Sequence, residues 1–250
     1  MRNRTVNGFA AEVNDISIRG IIFDKDGTLI KFDDFWRPVT EQAVTYIIRR
    51  LNVSENIKNE LMAAAGIDEG INGLICRGTY AQVAASFESV LKKHGEAADK
   101  LDALTFEAFE SSRECGKVVA ACENIKGLLE ELKRRGMSIF LVTTDCSEIT
   151  EKCLDELGIK EYFDEVYTDD GVLPSKPDPY YINEIIKKYG FNRNELLMVG
   201  DTVTDMEFAK NGKISAVGVA GDCDGRRVLE NYTGAVVGNI SQLTKLLDVL

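Results

Sequence analysis

Histidine is almost missing from this chain. The single one, His94, follows Lys92 and Lys93 at the end of an expected helix, where a cation favours the helix dipole, so it reads as a solvated cap rather than a catalytic base. Cysteine occurs six times but never as Cys-x-x-Cys, and a chain of 250 residues needs no disulfide framework, so reduced thiols in a cytosolic protein are expected. Positive charge is in deficit: 30 Lys and Arg against 41 Asp and Glu leave a net charge of −11. That field repels phosphate backbones and anionic lipid, so neither nucleic acid nor a membrane is an expected partner. A small phosphorylated substrate is still allowed, since it needs only a local cation or metal. Long apolar runs are also lacking. Arg2 and Arg4 are followed by no apolar signal region, and no stretch is long enough to cross a bilayer, so a cytoplasmic location is expected.

What is present, 44% hydrophobic and 28% charged residues, is the balance of a globular protein. From Gly116 onward, helical and strand patterns alternate. Ile125, Leu128, Leu129 and Leu132 share one face of a helix over 123–135, stopped by Gly136, and a buried strand follows over 138–142. Helices are predicted over 147–157, 178–189, 205–210 and 240–250, and strands over 163–167, 196–199 and 216–219. Such alternation implies βαβ units with right-handed crossovers: an α/β fold with a doubly wound, Rossmann-like parallel sheet. The stretch 31–115 differs, with helical periodicity at 40–51, 54–65, 79–93 and 99–114 and little that resembles a strand. The expected division is a core of 15–31 and 115–250 with an all-helical subdomain, 32–114, inserted after the first strand.

That first strand is the most informative segment. Ile21, Ile22 and Phe23 form a short apolar run of the doubly covered kind, and it leads into Asp24, Lys25, Asp26, Gly27 and Thr28. Ligands of open parallel sheets bind beyond the carboxyl ends of the strands, and alternation points Asp24 and Asp26 the same way. Two carboxylates that close repel unless a cation or shared proton compensates. Other strand ends offer Thr143 and Thr144, the run Ser175-Lys176-Pro177, and Gly200-Asp201-Thr202-Val203-Thr204-Asp205. Singly, each has a plain reading: a solvated lysine, or an aspartate capping a helix. Together they suit phosphoryl transfer. Carboxylates could hold a hard cation, a lysine could steady a carboxylate or a phosphate, and hydroxyl and backbone N–H groups could take the remaining phosphate oxygens.

With these motifs in this order, the chain resembles phosphatases of the haloacid dehalogenase superfamily. The resemblance implies Asp24 as nucleophile and Asp26 as general acid and base. It also implies Mg2+ held by the Asp24 side chain, the Asp26 backbone carbonyl and Asp201, with Asp205 in support. Thr143, Thr144 and Lys176 would bind the phosphoryl group. The helical insertion is similar to the small cap of phosphoglycolate phosphatase and β-phosphoglucomutase, which excludes water and selects substrate. In it, Arg77 is the candidate for gripping a substrate anion and Trp36 for touching substrate, while 31–37 would link core and cap. The expected substrate is a small phosphorylated metabolite: phosphoglycolate, a sugar phosphate or a nucleotide. Asp26 argues against a dehalogenase, and a linker without histidine weighs against a mutase. A phosphoglucomutase-like transferase and a non-catalytic binding protein on the same scaffold stay open, as does the oligomeric state.

Overall fold

The computed structural model describes residues 18–169 and 171–249, apart from the side chains of 70–72 and 77. Arg2, Arg4 and the expected start of the core at residue 15 lie outside the described residues. Six parallel strands, β1 (Gly20–Phe23), β2 (Ser138–Val142), β3 (Glu165–Tyr167), β4 (Leu196–Gly200), β5 (Ser215–Val219) and β6 (Val236–Val237), form one sheet in the order β3-β2-β1-β4-β5-β6. The order reverses at β1, and the strands beside it are in register, Phe23 facing Leu141 on one side and Val199 on the other. The ends of β1, β2 and β4 therefore lie level with one another, which brings their loops together.

Strand alternation sorts the core into two faces. Ile21 and Phe23, Ile139 and Leu141, and Leu197 and Val199 pack with α6 (Ile125–Arg134), α7 (Ser147–Leu157) and α11 (Leu243–Leu247). Ile22, Phe140, Val142, Leu196 and Met198 pack on the other face with α8 (Tyr180–Tyr189) and α9 (Val203–Gly212). The α/β, doubly wound architecture is thus the expected one, and the near-continuous apolar strands follow from being covered twice. The short helix α10 (Cys223–Leu229) and the two-residue edge strand β6 were not expected, being too brief to show a period. The helix expected over 240–250 is split into a 3-10 turn, Ile240–Gln242, and α11.

Between β1 and β2 run α1 (Phe32–Leu51), α2 (Lys58–Ala64), α3 (Leu74–Arg77), α4 (Tyr80–Lys93) and α5 (Leu101–Ser112). Helix α1 starts well before the expected residue 40, so 31–37 is not a linking loop but its first turns. Pro38 lies inside this helix and cannot donate to the carbonyl four residues back. That carbonyl, on Asp34, instead accepts from the Lys117 N–H at 3.1 Å, and Asp33 and Asp34 favour the helix N-terminus. His94 ends α4, its Nε2 lying 2.9 Å from Glu60, as befits a solvated cap. Among the described residues no helix is long and apolar enough to cross a membrane.

Candidate active site

Asp24 leaves the end of β1, its N–H donating to the Val199 carbonyl at 2.9 Å. The chain then turns back, with the Lys25 carbonyl accepting from Leu29 and Ile30 at 2.9 and 3.1 Å. Gly27 allows this turn: its φ is +79°, and a Cβ there would stand 1.9 Å from Asp201 Oδ2. Asp201 follows β4, where Thr28 Oγ1 donates to its Oδ1 at 3.0 Å. One turn into α9, Asp205 closes a capping box with Thr202, its Oδ2 accepting from the Thr202 N–H at 3.0 Å and hydroxyl at 2.6 Å. The other oxygen of Asp205 takes the Lys176 ammonium at 2.7 Å, and the same ammonium donates to Asp24. Asn211 of α9 steadies the lysine's loop by donating to the Pro177 carbonyl at 2.9 Å.

A second ammonium lies behind these. Lys25 is fully buried, 2.7 Å from Asp26 Oδ1 and 2.8 Å from Asp145 Oδ2, with the Phe35 ring of α1 at 5.3 Å. Thr143, at the end of β2, turns the loop by accepting from the Asp145 N–H at 3.2 Å. A cavity of about 50 Å³ is lined by Asp24, Asp26, Thr143, Thr144, Lys176 and Asp201, which the sequence singled out, and by Trp36 from α1. It meets a wider one of about 700 Å³ between the helical insertion and the strand ends, where Trp36, Tyr80, Phe106 and Arg113 contribute.

The structure thus brings together Asp24, Asp26, Thr143, Thr144, Lys176, Asp201 and Asp205. Trp36 reaches both cavities, nearly buried and edge-on to Phe35. The side chain of Arg77 lies outside those described. Sequence reasoning missed Lys25, Asp145, the Thr28 hydroxyl and Arg113. For Lys25 the available signal was its place on a strand end whose sheet is covered on both sides.

Charge is unevenly matched. Asp24, Asp26, Asp145 and Asp205 share two buried ammoniums, Lys25 and Lys176, and Asp201 adds a fifth carboxyl held by the Thr28 hydroxyl. Burial pushes the Asp24 carboxyl up to about 7 against the pull of Lys176, with Asp205 adding to the rise. Burial, then Asp24 and Asp205, carry Asp201 well above the usual carboxylate range. Asp145 is pushed up to about 6 by burial, opposed by Lys25. Burial disfavours the charge on both lysines, but Asp205 and Asp24 hold Lys176 protonated, and Asp145 and Asp26 do the same for Lys25. Oxygens of Asp24, Asp201 and Asp205 lie within 4.8 Å of one another. Such a set, short of counter-charge, fits a hard divalent cation.

The family model of the haloacid dehalogenase-like hydrolases matches residues 18–213. The phosphoglycolate phosphatase of Vibrio parahaemolyticus serotype O3:K6 is 25% identical over 235 residues, covering 93% of this chain and 97% of its own. Pyrophosphatase PpaX of Bacillus velezensis is 31% identical over 140 residues, 55% of this chain and 64% of its own. Among solved structures, the HAD-hydrolase YfnB of Bacillus subtilis, bound to magnesium, superposes with a TM-score of 0.69 at 19% identity, covering 92% of this chain and 99% of that one.

Proposed function

This chain belongs to the haloacid dehalogenase-like hydrolases, and from that premise we propose that it is a magnesium-dependent phosphatase of small phosphomonoesters that works through an aspartyl-phosphate. The observation that carries the reading is the Lys176 ammonium shared by Asp24 and Asp205 beside a cavity that also receives Asp26, Thr143 and Asp201. The Asp24 carboxylate attacks phosphorus in line with the ester oxygen. Lys176 keeps Asp24 in place, and with Thr143 and Thr144 it binds oxygens of the phosphoryl group as charge shifts onto them. Asp26 gives a proton to the departing alcohol, then takes one from the water that hydrolyses the aspartyl-phosphate. Asp205, both oxygens engaged, positions Lys176 and the start of α9.

Asp24, the Asp26 carbonyl and Asp201 would hold Mg2+, which when bound neutralises the carboxylates and the phosphate so that anion can approach anion. The helices between β1 and β2 serve as a cap, 32–114, over a core that resumes at 115. The wider cavity is where the alcohol portion sits, and its size admits a sugar phosphate or nucleotide as readily as phosphoglycolate. Phosphoglycolate and pyrophosphate are the compounds for which the relatives above are named.

The test is Asp24→Asn with p-nitrophenyl phosphate. Turnover should fall by several orders of magnitude, as on loss of a nucleophile, with thermal unfolding unchanged or raised. Chelation should abolish wild-type activity and Mg2+ should restore it. Full activity in the variant rules out the covalent route, and activity that survives chelation rules out the metal.

A further inference from the structure

Lys25 stands among the largest fully buried side chains, the others of which are Phe, Ile and Leu. It takes no part in the chemistry above and lines neither cavity. Its ammonium joins Asp26 Oδ1, at 2.7 Å, to Asp145 Oδ2, at 2.8 Å, beyond the end of β2. The Phe35 ring lies over it, and the same ring rests so close to Gly116 that a Cβ there would come within 2.7 Å. Phe35, in the first turn of α1, thus packs against both this lysine and Gly116, where the chain returns from the helical insertion toward the sheet. Stability alone does not call for such an arrangement, because an apolar side chain of similar volume often serves a buried site as well as an ion pair does.

We infer that Lys25 is a positioning residue for Asp26, anchored by Asp145 and sealed by Phe35, holding the carboxyl where it meets the ester oxygen. The inference rests on the phosphatase reading and goes further in assigning Lys25 and Asp145 to one step of it, protonation of the leaving alcohol. In that step the bond from phosphorus to the alcohol oxygen breaks as Asp24 forms its own bond to phosphorus, and the Asp26 proton passes to the alcohol oxygen. A lysine without water around it keeps Asp26 from rotating away between turnovers. Cation–π contact and the shared carboxylates fix the lysine in turn.

The experiment compares two esters by kcat/KM, which covers steps only through departure of the alcohol. p-Nitrophenyl phosphate releases a weakly basic phenolate that needs little help from an acid. Phosphoglycolate, or glycerol phosphate in its place, releases a strongly basic alkoxide that needs a proton. In Lys25→Met the alkyl ester should lose about 100-fold or more, the range of general-acid contributions, and the aryl ester less than about 10-fold. The double variant Lys25→Met/Asp145→Asn removes one charge of each sign together and leaves only the part-buried Asp26 without its ammonium, so it serves if the single variant does not fold. It should show the same discrimination. Equal losses on both esters, or no loss on either, overturn the inference while leaving the phosphatase reading in place. Wild-type protein that hydrolyses neither ester overturns that reading, and the inference falls with it.

Discussion

Gly27→Ala tests the geometry of the site without replacing a charged residue. Alanine at φ +79° pays the left-handed backbone penalty, about 1–2 kcal/mol. Its Cβ would also stand 1.9 Å from Asp201 Oδ2, where ordinary contact begins near 3.4 Å, so the carboxylate must retreat by about 1.5 Å. That movement breaks the Thr28 hydroxyl bond to Asp201, about 1.5–3 kcal/mol for a bond to a charged group. Together these come to about 2.5–5 kcal/mol, a fall in Tm of about 5–20 °C for a chain of this size. Hydrolysis of p-nitrophenyl phosphate should fall further than stability suggests, by about 100-fold, because a group misplaced by more than an ångström loses its alignment with the reaction. Circular dichroism melts and steady-state rates measure the two effects separately. A Tm within about 2 °C of wild type together with near-normal rates would refute the close approach of Gly27 and Asp201.

Two further outcomes follow from burial. Asp24 titrates near 7 in the fold and Asp201 is also raised, whereas both titrate near 4 in an unfolded chain. The folded state therefore binds more protons, and stability without metal should fall as pH rises from about 4 through about 7. Mg2+ takes the place of those protons, so it should raise Tm more at pH 8 than at pH 5.5; an equal rise at both would place the cation elsewhere. Thiol labelling should separate the cysteines: Cys115 and Cys223 are exposed and should react in the native protein. Cys153, its thiol pushed up to about 12 by burial, should react only on unfolding. Mass mapping of Cys153 adducts at native rates would show that α7 does not pack on the sheet as described.

Most of the sheet was legible because β1, β2 and β4 are apolar runs and the long helices that cover them carry a regular apolar face; the expected bounds 138–142 and 147–157 are those of β2 and α7. What failed was local. A helix is expected only from residue 40, yet α1 begins at Phe32 and runs through Pro38, because a proline is tolerated where another segment satisfies the freed carbonyl, and Lys117, far along the chain, does so for Asp34. Helix α10 and strand β6 are shorter than the period that would reveal them.

The site divides on the same line. Asp24, Asp26, Asp201 and Asp205 were legible because each stands just past an apolar strand or opens a helix, and Lys176 because it sits in the Ser175-Lys176-Pro177 run between β3 and α8; residue type then limits what each can do. Lys25 stands between two of them and was passed over. Alternation says only that its side chain leaves the strand on the side opposite Asp24 and Asp26, toward an interior covered by helices, where an ammonium needs a partner. The partner is fixed by register rather than by any local pattern: Phe23 faces Leu141, so the residues two further along each chain come abreast, and the loop carrying Asp145 falls beside Lys25. A charged residue facing inward at a doubly covered strand end thus implies a counter-charge on a neighbouring strand end. Once the sheet order places β2 next to β1, the loop 143–145 supplies one carboxylate, Asp145.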